Sequence, residues 1–442
     1  MTQRLGSAYG WLWTSSALSN LADGVLKVSL PLVAIRYTES PGLIAGLTFA
    51  LTLPWLLFAL PAGALSDRLD RRETMVGANV VRAALLGVLA LTAATGLGSI
   101  WILYVVALLI GVSETLYDTS AQSILPLVVP RDRLMRANGR LYAAELTANQ
   151  FVGPPLGGVL VTAGVALSFA VPAGLWVGAV GLLLLVRGSF RVERERRTTM
   201  RADIAEGLRF LWRNRVLRTL AVMVGVSNFA SNALWAVFVL YAVGPDSAMG
   251  LSEAGFGLLL TAGALGSLVG SFVAEWLEER LGRARSLLLN VLVMTASAAV
   301  PAATANVWLI AGAFAAGGLT IAVWNVVTVS LRQRITPDRL LGRLNSAYRL
   351  LAWGTIPLGA AAGGLLSEWL GLRAMFAVMA ALTLALVLGM RVVTDARIAE
   401  AEAAGDPSAD QPSTDQHAVA EKVAAQEPPP VSAPLTDQPP VR

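Results

Sequence analysis

DRLMRANGRLYAAELTANQFVGPPLGG, residues 132–158, is echoed 206 positions later by DRLLGRLNSAYRLLAWGTIPLGAAAGG, residues 338–364. Both open on Asp-Arg-Leu, place an Asn soon after, and close on Gly-Gly. A second echo pairs DRLDRRE at 67–73 with ERLGRAR at 279–285 at nearly the same offset. Two echoes at almost one spacing describe a chain built from two related halves.

Between the charged openings the chain is oily. Of 442 residues, 55% are hydrophobic and 14% are charged, and the mean hydropathy is +0.62. Apolar runs of about 20 residues recur, each long enough to cross a hydrocarbon layer of about 30 Å as a helix. The runs are continuous and not alternating, which argues against a sheet. The reading is an all-α polytopic membrane protein, with 12 transmembrane helices in two pseudo-symmetric six-helix bundles. Spans are predicted at 11–36, 41–65, 75–96, 99–122, 142–164, 166–187, 218–243, 253–277, 286–305, 307–331, 346–367 and 371–393. The N-terminal run resembles a signal peptide but is long, holds Asn20 and Asp23, and leads straight into the next span, so it reads as an uncleaved first helix.

The basic residues choose a side. Loops after the even spans hold Arg68, Arg71 and Arg72; Arg131, Arg133, Arg136 and Arg140; a dense run from Arg187 to Arg218; Arg280, Arg283 and Arg285; and Arg332, Arg334, Arg339 and Arg343. Loops after the odd spans hold Arg36 and Arg373. The positive-inside rule places the even loops and both termini in the cytoplasm of a cell whose inner or plasma membrane holds the chain. Arginines arranged this way are topology signals beside lipid headgroups, so the net charge of +5 implies no nucleic-acid partner.

The organisation follows. Residues 1–187 and 218–395 are the two bundles, joined by a basic linker at 188–217. In the linker Ile204, Leu208, Leu211 and Trp212 share a helical face, which reads either as an interfacial helix or as a solvated connector. From 396 to 442 the chain is rich in Pro, Ala, Gln and acids and is expected to be a disordered cytoplasmic tail.

Cysteine is absent and the one histidine, His417, lies in that tail. Proton chemistry within the membrane must therefore use carboxylates. There is no Walker A sequence, no metal-ligand cluster and no Ser-His-Asp arrangement, so an enzyme or an ATP-driven pump is not expected, and neither is a metal or cofactor. The energy source would be a proton gradient.

Ionisable groups at mid-bilayer cost about 2.5–3.5 kcal/mol on insertion scales, so each needs a reason. Span 1 places Asn20, Asp23 and Lys27 on one face, and Lys27 is the one lysine outside the tail. Two readings stand: a self-neutralising Asp23–Lys27 pair, or a cavity-facing site in which Asp23 exchanges protons. Span 4 stacks Glu114, Asp118 and Gln122 at helical spacing, and two stacked acids repel. Arg82 of span 3 lies at a similar depth and is expected to pair with Glu114 or Asp118. An acid left unpaired is a proton-carrier candidate, so Asp23, Glu114 and Asp118 are all candidates.

GALSDRLDRR, residues 63–72, ends span 2 with Gly63, Asp67, Arg68, Arg71 and Arg72. By charge it is a membrane-surface anchor. By order it resembles the signature loop, motif A, of the major facilitator superfamily, with Asp70 where that motif usually has Gly. The resemblance covers about 390 residues. SNLADGVLKVSLPLVA in span 1, ETLYDTSAQSILPLVVP after span 4 and TPDRLLGRLNSAY before span 11 are similar to the drug, macrolide and siderophore efflux branch, which includes enterobactin exporters. The resemblance implies that Asp67 is a gating latch aimed at the start of span 11. GPPLGG at 153–158 resembles motif C of the antiporter subset, with Gly153, Pro154, Gly157 and Gly158 matching and Asn149 at the position where a Gly is expected. These four form an interface hinge, because small residues let backbones approach and Pro bends a helix.

In that family spans 5 and 8 meet between the halves, as do 2 and 11. Gly263, Gly266 and Gly270 of span 8, and Gly354, Pro357, Gly359 and Gly363 of span 11, would supply the facing surfaces. Spans 1, 4, 7 and 10 line the central cavity. That places Asp23 and Glu114 there with Asn20, Lys27, Asn228, Asn232, Trp235, Trp324 and Asn325. Amides and tryptophans suit an amphiphilic, partly aromatic or cationic solute. Glu145 and Asn149 reach toward it, and Tyr348, Arg349 and Trp353 gate its inner end.

The expected function is proton-coupled efflux of a drug-like or natural-product small molecule by alternating access, carried out by a monomer in the bilayer. A facilitator or importer of a small metabolite on the same fold stays open. So does a membrane sensor or assembly partner, against which the deep charges argue.

Overall fold

Helices make up nearly all of the computed structural model, which describes residues 5–66, 69–130, 133–188, 190–191 and 200–405. Their starts follow from single polar residues set before apolar runs. Ser99, Asn214, Ser252 and Asn306 each accept a hydrogen bond from a first-turn backbone N–H, satisfying donors that the helix cannot satisfy itself. Two sharp reversals are made by Gly282 and Gly371, at φ 81° and 83°, a region where a side chain would be strained.

The helices are α1 (Ser7–Ala34), α2 (Pro41–Ser66), α3 (Arg71–Ala94), α4 (Ile100–Val128), α5 (Leu134–Glu145), α6 (Gly153–Ala163), α7 (Val165–Leu184), α8 (Met200–Arg213), α9 (Arg215–Ala242), α10 (Glu253–Leu281), α11 (Arg283–Ala303), α12 (Val307–Ile335), α13 (Asp338–Leu370), α14 (Leu372–Ala385) and α15 (Asp395–Gly405). Among the described residues 11 helices are long and apolar enough to cross a membrane. The fifth predicted span, 142–164, is not one continuous α-helix. It is α5, a π-helical segment Leu146–Val152, then α6. The cause is Pro154-Pro155: two consecutive residues without an N–H leave upstream carbonyls unpaired, and the preceding turn widens.

Within the first half α1 packs on α6 and α7, α2 on α4, and α3 on α4 and α7. Within the second, α9 packs on α13 and α14, α10 on α12, and α11 on α12 and α14. The halves meet along α2–α13 and α6–α10. The linker helix α8 lies on α13, where Leu211 is buried and Glu206 pairs with Arg343, while Leu208 and Trp212 are exposed. The predicted single apolar face is thus divided between protein and surroundings.

The expectation of disorder from 396 is corrected for 396–405, which belong to α15. Ile398 is buried, Glu402 pairs with Arg283 at 2.7 Å, and Asp395 accepts from the Ala284 N–H at 3.0 Å, so the helix is held to the start of α11. The alanines and glutamates that suggested a tail are also strong helix formers. Residues 406–442 lie outside the described residues.

Close backbone approach fixes the α1–α6 crossing. A Cβ on Gly24 would come 2.6 Å from the Asn149 carbonyl oxygen, and one on Gly153 would come 2.6 Å from Gly24 Cα. Both obstacles are backbone, so neither can turn aside. Gly24→Ala is expected to destabilise by about 1–3 kcal/mol, read as a lower melting temperature in detergent. Gly77→Ala, where a Cβ meets nothing within 4 Å, is the control and should not lower it.

Candidate functional site

Where the halves face each other they leave a cavity of about 560 Å³, within the range of small-molecule sites. From α1 it takes Leu26, Lys27, Leu30 and Pro31, and from α2 it takes Thr48 and Thr52. The π-helical segment contributes Asn149 and Gln150. The widened turn therefore sets two amides beside the cavity. Ser231, Asn232 and Trp235 come from α9, Phe256 and Ser267 from α10, and Phe314 from α12. The Trp235 ring lies 4.7 Å from Phe314 and 5.5 Å from Phe238, giving the cavity an aromatic wall.

A charge cluster lies one helical turn from Lys27. Arg82, with no exposed surface, sits 3.6 Å from Asp23, whose side chain is 20% exposed. The guanidinium lies 5.1 Å from the centre of the Tyr117 ring and 5.2 Å from that of Trp176. It donates to Asn79 Oδ1 at 3.4 Å, which also accepts from Ser19. Among the described residues Arg82 Nε and Nη2 find no hydrogen-bond partner. Asp23, Glu114 and Asp118 all act on Arg82 electrostatically, and Glu145 acts on Asp23 and Asp118. The cation is thus caged, and its carboxylate partner is the member that water can reach. At 3.6 Å the pair is longer than a charge-assisted hydrogen bond, so it is held by field more than by contact.

The arginine-poor end is closed. Arg36 pairs with Glu253 at 2.6 Å and donates to the Val161 carbonyl at 3.3 Å. Glu368 accepts from the Ser40 hydroxyl at 2.6 Å and the Gly42 N–H at 3.2 Å. Gly158 packs against the Glu253 backbone, and Gly364 against Gly42 and Ala45. Toward the arginine-rich end, Trp55 meets Trp353 edge-on at 5.3 Å and Arg349 donates to Gln122 at 3.3 Å. Each closing contact is worth about 0.5–1.5 kcal/mol. Arg36→Ala with Glu368→Ala is therefore expected to raise labelling of a cysteine at Ser231 by an impermeant maleimide, applied at the arginine-poor end, by about tenfold.

Several predicted partners differ. Arg82 pairs with Asp23, and not with Glu114 or Asp118. Asp23 therefore does not neutralise Lys27. Trp324 is buried in the core of the second half and does not line the cavity, because its face of α12 turns into that core. Asn325 is exposed and is also off the cavity wall. Asn20 turns its amide back to the Ser16 carbonyl, and Asn228 donates to the Ala352 carbonyl at 2.7 Å, tying α9 to α13. Neither lines the cavity, nor do Asp23 and Glu114.

The small-residue surfaces are also divided. Gly157, like Gly153, faces α1, while Gly158 meets α10, whose Gly257 packs on the Pro154 carbonyl. Gly266 and Gly270 face α12, and Gly263 comes nearest Phe314 of that helix, so none of the three joins the halves. Gly354 faces α2, but Gly359 and Gly363 pack against α9. A glycine is legible as small from sequence, and the neighbour it admits is not.

Asp67 and Arg68 of the signature loop lie outside the described residues, and Gly63 lies within α2. Its neighbours show a local role. Asp70, in the place where the motif usually has Gly, caps α3 through the Arg72 and Glu73 N–H groups and accepts from the Phe190 N–H at 2.7 Å. Arg71 is buried, and Arg72 donates to the Val186 carbonyl at 2.7 Å. The loop thus joins the start of α3 to the chain beyond α7. Sequence reasoning missed Thr48, Thr52, Gln150 and Ser267 as cavity residues. Only Gln150 carried a signal, as an amide beside Asn149 inside an apolar run.

Comparison with known proteins follows the same fold. A family model described as transmembrane secretion effector matches residues 5–431. The multidrug efflux pump Tap of Mycolicibacterium fortuitum is 28% identical over 396 residues, covering 87% of this chain and 95% of that protein. Macrolide efflux protein A of Streptococcus pyogenes is 21% identical over 396 residues, covering 87% and 96%. The crystal structure of a bacterial homologue of the iron transporter ferroportin in an inward-facing state superposes with a TM-score of 0.69 at 18% identity, covering 90% of this chain and 100% of that one.

Proposed function

This chain belongs to the transmembrane secretion effector family of major facilitator transporters, and on that footing we propose that it is a proton-coupled exporter of an amphiphilic small molecule. The observation that carries the reading is a solute-sized cavity between the halves, lined by Lys27, with a caged Arg82 and its partly exposed partner Asp23 one helical turn away. Two relatives named as efflux proteins, at 28% and 21% identity, support the direction. The arginine-rich loops would face the cytoplasm, with both termini there.

The cycle needs a group whose charge changes the balance between two states. Ionised Asp23 neutralises Arg82 and holds α1 to α3. A proton entering from outside neutralises Asp23 and leaves Arg82 to the carboxylates of α4, Glu114 and Asp118. That redistribution alters how α1 and α4 sit against the second half. The outer contacts of Arg36 and Glu368, whose transient opening admits the proton, then stay broken and the solute leaves. Loss of the proton to the cytoplasm resets the pair.

The test is uptake into inside-out vesicles or proteoliposomes under an imposed pH gradient, with a panel of fluorescent amphiphiles. Accumulation that collapses with a protonophore is expected. Exchange that ignores the proton gradient would overturn the coupling and leave a facilitator, and no movement of any solute would overturn transport itself.

A further inference from the structure

Among the described residues the cavity wall carries one charged side chain, and it is a cation. Among the residues lining it, Lys27 stands with amides, hydroxyls and apolar groups, and no carboxylate is present. Lys27 is accessible to the cavity, and among the described residues it makes no hydrogen bond or ion pair. Its nearest acid along α1, Asp23, is engaged by Arg82. Glu114 acts on Lys27 only through its field, beyond ion-pair reach. Asp23, Glu114 and Asp118 act on Arg82, and none of the three lines the cavity.

An ammonium at this depth in a membrane is costly without a partner, and chains tolerate one where it faces a water-filled path or meets a counter-ion. A cationic solute entering here would meet a like charge in a confined space, which is strongly disfavoured. An anionic one would supply the missing counter-charge. The opposite wall, Trp235 with Phe314 and Phe256, would hold an apolar or aromatic body, while Asn149, Gln150 and Asn232 offer donors beside it.

We propose that the transported solute is an organic anion, with an apolar or aromatic body against Trp235 and an acidic group paired with Lys27 Nζ. This rests on the reading of the cavity as the transport site and narrows the amphiphile to one charge. It sets aside the cationic solute that amides and tryptophans alone would also admit.

The test uses two dyes that share a xanthene body and differ in charge, anionic fluorescein and cationic rhodamine 6G. Binding to the full chain is followed by fluorescence polarisation in phosphatidylcholine nanodiscs, so that no anionic headgroup competes. Fluorescein should bind saturably and about tenfold tighter than rhodamine 6G. Lys27→Met should weaken fluorescein binding at least about tenfold, while Lys27→Arg should keep it within about threefold of the unaltered chain. Size-exclusion and circular dichroism profiles establish that both variants are folded.

Three results would each overturn the assignment: no saturable fluorescein binding, equal or tighter binding of rhodamine 6G, or fluorescein binding indifferent to Lys27→Met. Vesicle transport separates this from the exporter reading. Fluorescein bound through Lys27 but not moved by a proton gradient would keep the anion site and overturn export. Rhodamine 6G exported equally well by Lys27→Met would do the reverse.

Discussion

Arg82→Ala is expected to be the most damaging single change in the membrane region, lowering the melting temperature in detergent by about 10 °C and abolishing transport. Arg82 has no exposed surface, and Tyr117 and Trp176 enclose it with ring centres 5.1 and 5.2 Å away. Removing it opens a void between α3, α4 and α7 and takes away the cation on which Asp23, Glu114 and Asp118 all act. Breaking a buried pair from one side costs about 3–5 kcal/mol, because the remaining charge stays without compensation.

The companion variants separate charge from shape. Arg82→Lys keeps the charge but not the flat stacking surface, and should restore part of the stability. Arg82→Met fills the space without the charge. Adding Asp23→Asn to Arg82→Met should recover stability relative to Arg82→Met alone, since neither partner is then an orphan. A double variant less stable than either single variant would show that the two residues do not form an energetic unit.

The second large effect is kinetic. Asp23→Asn is expected to leave solute exchange within about threefold of the unaltered chain and to cut proton-driven accumulation by at least about tenfold. Asparagine matches aspartate in size, so the cage around Arg82 stays filled, but it cannot take up or release a proton. The distinction rests on access: Asp23 keeps 20% of its side chain exposed while Arg82 keeps none. Glu114→Gln and Asp118→Asn should reduce accumulation less, because they shape the field around Arg82 without being its closest carboxylate partner. Accumulation that survives Asp23→Asn but is lost in one of those variants would move the proton site to α4.

Much of this architecture was legible in the sequence for physical reasons. A membrane-spanning helix needs a long apolar run, so helix placement could be read directly. The 11 spanning helices follow those runs. The fifth span failed because hydropathy does not register hydrogen-bond donors. Pro154-Pro155 are apolar in a window average and disruptive in a helix, and their consequence is the segment that places Asn149 and Gln150 at the cavity.

The site was legible as an inventory more than as pairs. Asp23, Lys27, Arg82, Glu114 and Asp118 stand out because each is expensive in a membrane. Which acid meets Arg82 depends on the rotation of α1 and α4 against α3, and counting residues from a helix end does not fix rotation. The same limit misplaced Trp324, which faces the core, and Gly263, Gly266, Gly270, Gly359 and Gly363, which face neighbours within their own half. In α15 the single buried apolar anchor, Ile398, was outweighed by its polar surroundings.

The most direct measurement is of the two ends at once. The chain has no cysteine, so single cysteines accept spin labels without background. One pair, Leu97 with Asp246, spans the halves at the arginine-poor end, and another, Asn138 with Glu279, spans them at the arginine-rich end; all four positions are exposed. Double electron–electron resonance on the full chain in nanodiscs, with fluorescein added, should show the first distance lengthening and the second shortening on acidification, with both responses lost in Asp23→Asn. Distances that stay fixed across pH and solute, or two ends that open and close together, would contradict proton-driven alternating access.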